Sequence, residues 1–430
     1  MLRGLILLVW LLVGSAQANV PVFEIDTTDK TALQVGQELG RTFKKTFPDI
    51  EQRIDSYLKT FVTQDTFNQW IRERVTVLKP NIDQEYRDEV EGIASTWKIS
   101  SRDQLGDGEL SLNEYWLLQL IPDVGRRTNC SGFGVWGKAA VGGATLVGRN
   151  MDWRTSDALR SLQAITVYRN KKGGIVNIGF AGYVAIISGF NQDGLFLAHL
   201  DSPLRQPYTI PANDSSIVFD LRKTLSTQGT IRAAAKELSR YPHAFSHNIL
   251  LADRDSVQVL EQPPMPPAQL RTDQSDYRMD YYWGKTNQIA VVNCFVLASS
   301  AANCLESHDA LRWNRFRTMA NFTPQQPADV SKVMTIMLDQ ANPFQEIFNL
   351  LTVQSMVFVP ETLKLYLYTV PISGQHIQPV RYQEFSHLLP FNSSTTSHWF
   401  NALNVLIVGA LLLLIGAVGY GELMRKKRTV

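Results

Sequence analysis

Three cysteines raise the first chemical question in this sequence: Cys130, Cys294 and Cys304. In an exported chain, which the two ends argue for below, an odd number leaves at least one unpaired. Cys294 and Cys304 are near enough in sequence to form one disulfide, and Cys130 is then the reactive candidate. The alternative is three free thiols, two of them buried and inert. No CxxC or HExxH pattern is present, and His243 and His247 alone are weak evidence for a metal, so no metal and no cofactor is expected. A nucleophilic thiol needs a base. If the chain is cut before Cys130, the freed α-amine, with a pKa of about 7.7–8.0, serves as base for its own side chain. Such an enzyme needs no separate histidine.

The stretch Cys130-Ser131-Gly132-Phe133-Gly134-Val135-Trp136-Gly137, with Gly148-Arg149-Asn150-Met151-Asp152-Trp153 about twenty residues after the cysteine, resembles the opening of the mature chain in the N-terminal-nucleophile (Ntn) cysteine hydrolases. That group includes isopenicillin-N acyltransferase-like proteins, penicillin V acylases, bile salt hydrolases and acid ceramidase-like amidases. Residues 86–94 (YRDEVEGIA) resemble the prosegment of the acyltransferase-like members. Residues 179–194 and 248–261 resemble their later strands, so the resemblance spans roughly residues 80–320.

The resemblance implies an α+β fold, a four-layer αββα sandwich, with self-cleavage between Asn129 and Cys130. It implies Cys130 as nucleophile, Asp152 accepting from the new α-amine, and Arg149 steadying the thiolate. Asn293, in Val291-Val292-Asn293-Cys294, matches an oxyanion-hole asparagine, whose amide N–H suits a developing negative charge. Arg312 matches an arginine near the site, and Asp201 a further polar position. Two positions depart from the pattern: Ser131 stands where many members have threonine, and Cys294 follows the asparagine. The implied reaction is cleavage of a linear N-acyl amide, on a small-molecule or lipid substrate, through an acyl-cysteine. Acyl transfer to an amine is the close alternative, and an inert membrane-anchored binding protein the distant one. Without the resemblance, Arg149 and Asp152 read as a surface ion pair, Asn293 as a strand-end cap, Arg312 as a solvated helix residue and Asp201 as structural.

Strand geometry tests this placement. A two-residue turn at Gly142-Gly143 sets Cys130 opposite Thr155 and carries Arg149 about 20 Å along the ladder, at roughly 3.4 Å per residue. A wider loop over 138–143 sets Cys130 opposite Asn150 or Met151, with Arg149 and Asp152 flanking the thiol; the wider loop is expected.

The elements that hold these residues follow from periodicity. Residues 19–129 look helical, over 32–57, 66–77, 86–97 and 110–121, the last ending before Pro122. From Cys130 onward, glycine-punctuated apolar runs predict strands over 132–136, 144–147, 162–168, 174–180, 185–190 and 195–200. Helices are expected over 216–225 and 230–238, a hairpin over 248–261, a surface loop over 263–280 and a strand over 289–297. Helices over 307–319 and 328–339 and two strands within 357–370 complete the body.

The ends point to a membrane. Residues 1–18 carry Arg3, an apolar core and an A-x-A site, as a signal peptide does, with an uncleaved anchor as the alternative. Residues 402–421 are almost continuously apolar, long enough to span a bilayer. The basic tail 422–430 puts that end in the cytoplasm. The expected plan is prosegment 19–129, catalytic domain 130–390 outside the cytoplasm, linker 391–401, and one membrane-spanning helix. The prosegment fragment is itself an expected partner. The formal net charge of +2, with scattered basic residues, gives no reason to expect a nucleic-acid partner.

Overall fold

The computed structural model describes residues 19–390, apart from 126–128, 203–209, 265–266, 305–306 and 341–345. The chain divides into one unit ending at Leu389 and a second from Pro390 onward. The signal-peptide, linker, membrane-helix and tail assignments fall outside the described residues. Among the described residues no helix is long and apolar enough to cross a membrane.

The apolar runs after Cys130 form two sheets. The first has eight strands in the spatial order Val22–Asp26, Gln163–Asn170, Gly173–Phe180, Ser188–Asn191, Phe196–Asp201, His247–Ala252, Val257–Gln262 and Gln269–Arg271. The second has six: Gln288–Val291, Ser131–Val135, Leu146–Asp152, Thr352–Val359, Lys364–Thr369 and Gln383–Phe385. They lie face to face. Phe358 stacks on Phe190 at 4.3 Å between ring centroids. A Cβ added at Gly132 would lie 2.6 Å from Leu250 Cδ2, and one at Gly134 2.4 Å from Val257 Cβ, so glycine lets the cysteine's strand approach the other sheet. The helix Ile217–Thr227 covers the outer face of the first sheet, and Val330–Met337 that of the second. Helix, sheet, sheet, helix is therefore the layer order. Strands buried on both faces read as near-continuous apolar runs, which is why they were visible in sequence.

Glycine again sets the loop after the cysteine's strand. Gly142 and Gly143 take φ of 68° and 76°, and short helical turns at Gly137–Ala139 and Val141–Gly143 fill a wide connection. Ser131 pairs with Asn150, which leaves Cys130 beside Met151, as the wider loop requires.

The structure corrects four expectations. The segment 19–129 is not only helical: Val22–Asp26 alternates exposed and buried residues and joins the first sheet parallel to Gln163–Asn170. Helix Leu112–Val124 runs through Pro122; every residue from Glu114 to Val124 is buried, and that packing offsets the one hydrogen bond a proline removes in the last turn. Residues 263–280 are not simply a surface loop, because Gln269–Arg271 is a strand whose fully buried Arg271 pairs with Glu261 at 3.1 Å. The strand expected over 289–297 stops at Val291, since the Val296 and Leu297 N–H groups donate to the Glu261 carboxylate and that of Phe295 to Asn303.

Helix Leu112–Val124 leads to Asn129 and is tied at both ends by buried carboxylates. Glu114 forms a capping box with Ser111. Asp123 accepts from Ser216 Oγ at 2.7 Å and from the Ile217 N–H at 2.8 Å, at the start of the neighbouring helix. Burial pushes both carboxyls up to about 7, from ordinary values of 4.5 and 3.8. The folded chain thus holds protons that the unfolded chain releases between roughly pH 4 and 7, and stability rises as pH falls through that window. The thermal midpoint of a Cys130→Ala chain should climb between pH 7.5 and 5. Glu114→Gln and Asp123→Asn together should flatten most of the climb.

Candidate active site

Cys130 immediately precedes the strand Ser131–Val135 and is 1% exposed. Arg149 comes from the next strand, and its Nη2 donates to Cys130 Sγ at 3.4 Å and to the His199 carbonyl at 2.9 Å. The guanidinium is fully buried, and its Nε and Nη1 meet no acceptor among the described residues. Burial lowers its pKa, opposed by Cys130 and Asp152, yet arginine keeps its proton in proteins. A desolvated cation against sulfur favours the thiolate over the thiol.

Asp152 approaches differently from expectation. Its main-chain carbonyl lies 3.8 Å from Cys130 Sγ, and its carboxylate engages other groups. Oδ1 accepts from Thr352 Oγ1 at 2.7 Å. Oδ2 accepts from Asn349 Nδ2 at 2.7 Å and from Arg312 Nη1 at 3.3 Å. Burial pushes Asp152 up to about 6, with Arg312, Thr352, Asn349 and Arg149 all holding it down. Side chains alternate along a strand, so residues 149 and 152 leave on opposite faces.

Arg312 is the centre of the arrangement. It lies in helix Ser307–Met319, where a solvated face is the ordinary reading, yet it is fully buried. Its Nη1 donates to the Asn129 carbonyl as well as to Asp152. Its Nη2 donates to Asn293 Oδ1 at 3.2 Å and to Asp309 Oδ1 at 3.0 Å. The carbonyl of the peptide bond before Cys130 is therefore met by this arginine, not by the asparagine expected to serve an oxyanion. Asn293 holds Arg312 and spends an amide proton on the Asp201 carbonyl at 2.6 Å. Asp201 reaches this group through its main chain.

Cys294 and Cys304 form a disulfide directly after Asn293, so the three-thiol alternative is set aside. His243 and His247 are buried elsewhere: His247 is 2.7 Å from His199 Nε2, and His243 is 2.9 Å from Asp220. Among the described residues no cluster of three or more His, Cys, Asp or Glu could hold a metal ion. Sequence reasoning missed Asp309, Asn349 and Thr352. Asp309 had a signal, three residues before Arg312 on one helix face; the other two had none.

No protein-family model and no curated protein matches the sequence. Solved structures do align with it. The Caenorhabditis elegans ortholog of N-acylethanolamine-hydrolyzing acid amidase is 14% identical, with a TM-score of 0.40 over 54% of this chain and 93% of that one. A mutant conjugated bile acid hydrolase from Clostridium perfringens is 13% identical, with a TM-score of 0.36 over 60% of this chain and 97% of its own. Penicillin V acylase from Agrobacterium tumefaciens is 14% identical, with a TM-score of 0.36 over 56% and 83%. The roles argued for individual residues rest on the contacts described above.

Proposed function

We propose that the chain cuts itself between Asn129 and Cys130, and that the new N-terminal cysteine then hydrolyses a linear N-acyl amide as an Ntn-type amidohydrolase. One observation carries this reading: a thiol beside one buried guanidinium adjoins a peptide carbonyl held by another.

In the cut, Cys130 Sγ attacks the Asn129 carbonyl carbon, and Arg312 Nη1–H stabilises the oxyanion. The C–N bond breaks and the Cys130 nitrogen takes the proton that the thiol gives up, leaving Asn129 as a thioester on the sulfur. Water then hydrolyses the thioester to give the Asn129 carboxylate, the free thiol and the free α-amine. In amide hydrolysis the α-amine takes the thiol proton, and Asp152 steadies the ammonium. The thiolate, supported by Arg149, attacks the substrate carbonyl. Arg312, released from Asn129, and Asn293 receive the oxyanion. The ammonium protonates the departing amine, and water resolves the acyl-cysteine. The burial of Cys130, 1% exposed, supports latency before the cut.

The same reading takes residues 1–18 as an export signal and 402–421 as a single membrane-spanning helix, on their sequence alone. The catalytic body then lies outside the cytoplasm.

Intact mass and N-terminal sequencing of the full chain beside Cys130→Ala test the core claim. Wild type should yield a fragment beginning at Cys130, and the variant should stay whole. A wild-type chain that remains uncut over days at pH 5 to 8 would remove the basis for the reading.

A further inference from the structure

We infer that Thr352, Asn349 and His376 form a brace that aims the Asp152 carboxylate, acting as positioning residues for the cut and for the later hydrolysis. This inference rests on the proposed function and adds residues that neither the sequence motifs nor the resemblance pointed to.

The brace begins with an irregularity. Strand Thr352–Val359 pairs Thr352 with Asp152 and then Gln354 with Met151, so Val353 is an extra residue. A bulge of this kind re-aims a side chain, and here the Thr352 hydroxyl meets the carboxylate. The direction of each hydrogen bond follows from its neighbours. Thr352 Oγ1 accepts from the Asn349 N–H at 3.0 Å, so its own proton goes to Asp152. Asn349 Oδ1 accepts from the Leu351 N–H at 2.8 Å, which fixes Nδ2 as the group facing Asp152. Both groups donate to the carboxylate, and both therefore favour its charged form.

The Asn349 turn is itself held from behind. His376 Nε2 is 3.0 Å from the Asn349 carbonyl, which can only accept. His376 Nδ1 is 3.0 Å from the Tyr368 hydroxyl, which then donates to it. Neutral histidine with its proton on Nε2 satisfies both contacts, and burial lowers the pKa of His376 from its ordinary value. Phe348 packs on the imidazole at 4.4 Å between centroids. On its other side His376 lines a surface cavity of about 570 Å³, shared with Arg160, Gln163 and Ile372. A small molecule in solvent thus has a route to the place the imidazole occupies.

The other charged or titratable groups around Asp152 are Arg312 from its helix, with Asp309 beyond it, Arg149 on the same strand, and the Cys130 thiol at the start of the neighbouring one.

The test is the pH dependence of self-cleavage, followed by pulse-labelling the full chain in cell-free translation and chasing between pH 5 and 8. The charged Asp152 carboxylate aligns the Arg312 arm that meets the Asn129 carbonyl, so wild-type cleavage should rise through a half-point set by Asp152. Thr352→Val should slow cleavage about tenfold at pH 6 and move the half-point up by on the order of one pH unit, whereas Thr352→Ser should behave as wild type. His376→Ala should slow cleavage about tenfold, and imidazole at tens of millimolar should restore most of the rate. A purely structural role would lower the thermal midpoint without moving the half-point and without imidazole rescue. If Thr352→Val and His376→Ala cleave with the wild-type rate and half-point, or if imidazole leaves His376→Ala unchanged, the brace is wrong. If wild type does not cleave, the parent reading fails instead, and the two failures are told apart by that control.

Discussion

Arg312→Lys should slow cleavage after Asn129 by on the order of 10²–10³-fold, the loss expected when an oxyanion donor is removed from a buried site. Arginine serves four acceptors from two arms: the Asn129 carbonyl and Asp152 on one, Asn293 and Asp309 on the other. Lysine offers a point charge with three donors on a flexible stem and cannot span that fork. Two carboxylates depend on the same side chain, so the variant will also be less stable. The comparison therefore belongs at a temperature where both chains are folded, judged by their own thermal midpoints. A loss smaller than tenfold among folded molecules would mean that Arg312 holds the site together without taking part in the bond change.

The second large effect concerns stability. Glu89 in helix Gln84–Ala94 and Arg222 in helix Ile217–Thr227 form a bidentate pair at 2.6 and 3.1 Å, with both side chains 5% exposed. The Tyr168 hydroxyl donates to Glu89 at 3.0 Å, and the guanidinium lies over the rings of Tyr86 and Tyr168. Removing one member of a buried pair leaves an uncompensated charge, at a cost of about 3–5 kcal/mol. Glu89→Gln should lower the unfolding free energy of the Cys130→Ala chain by that amount, read from urea titration. Glu89→Gln with Arg222→Met should recover most of it, because two apolar or neutral groups of similar volume leave no stranded charge. Helix Gln84–Ala94 lies before the proposed cut and helix Ile217–Thr227 after it, so the same pair should keep the two expected fragments together on size-exclusion chromatography.

What could be read in the sequence was what neighbouring residues decide. The hairpin strands after Cys130 showed themselves because glycine and asparagine mark their turns and because strands buried on both faces are apolar throughout. Arg149 was legible through the resemblance that its motif carries, and a wide loop then let strand counting set it near the thiol. Thr352 and Asn349 reach Asp152 across some two hundred residues, and nothing in their own surroundings signals that approach. Arg271 and Glu261 were hidden for another reason. Charged residues belong on the surface by default, and only a partner 3.1 Å away makes their burial tolerable. Pro122 misled because local propensity gave way to a helix packed on every side.

The strand Val22–Asp26 has a consequence for the order of events during synthesis. Its partner in the sheet, Gln163–Asn170, follows roughly 140 residues later in the chain. At about 5–20 residues per second, the ribosome delivers that partner some 7–28 seconds after the strand emerges. Through that interval the strand has no ladder to join, and Asn129 and Cys130 are made before it closes. A cut in that interval would set the first 129 residues adrift before the sheet could capture them. Arg312, the oxyanion donor of the proposed cut, leaves the ribosome only after Gln163–Asn170, so the proposed chemistry waits until the edge strand has a place to dock.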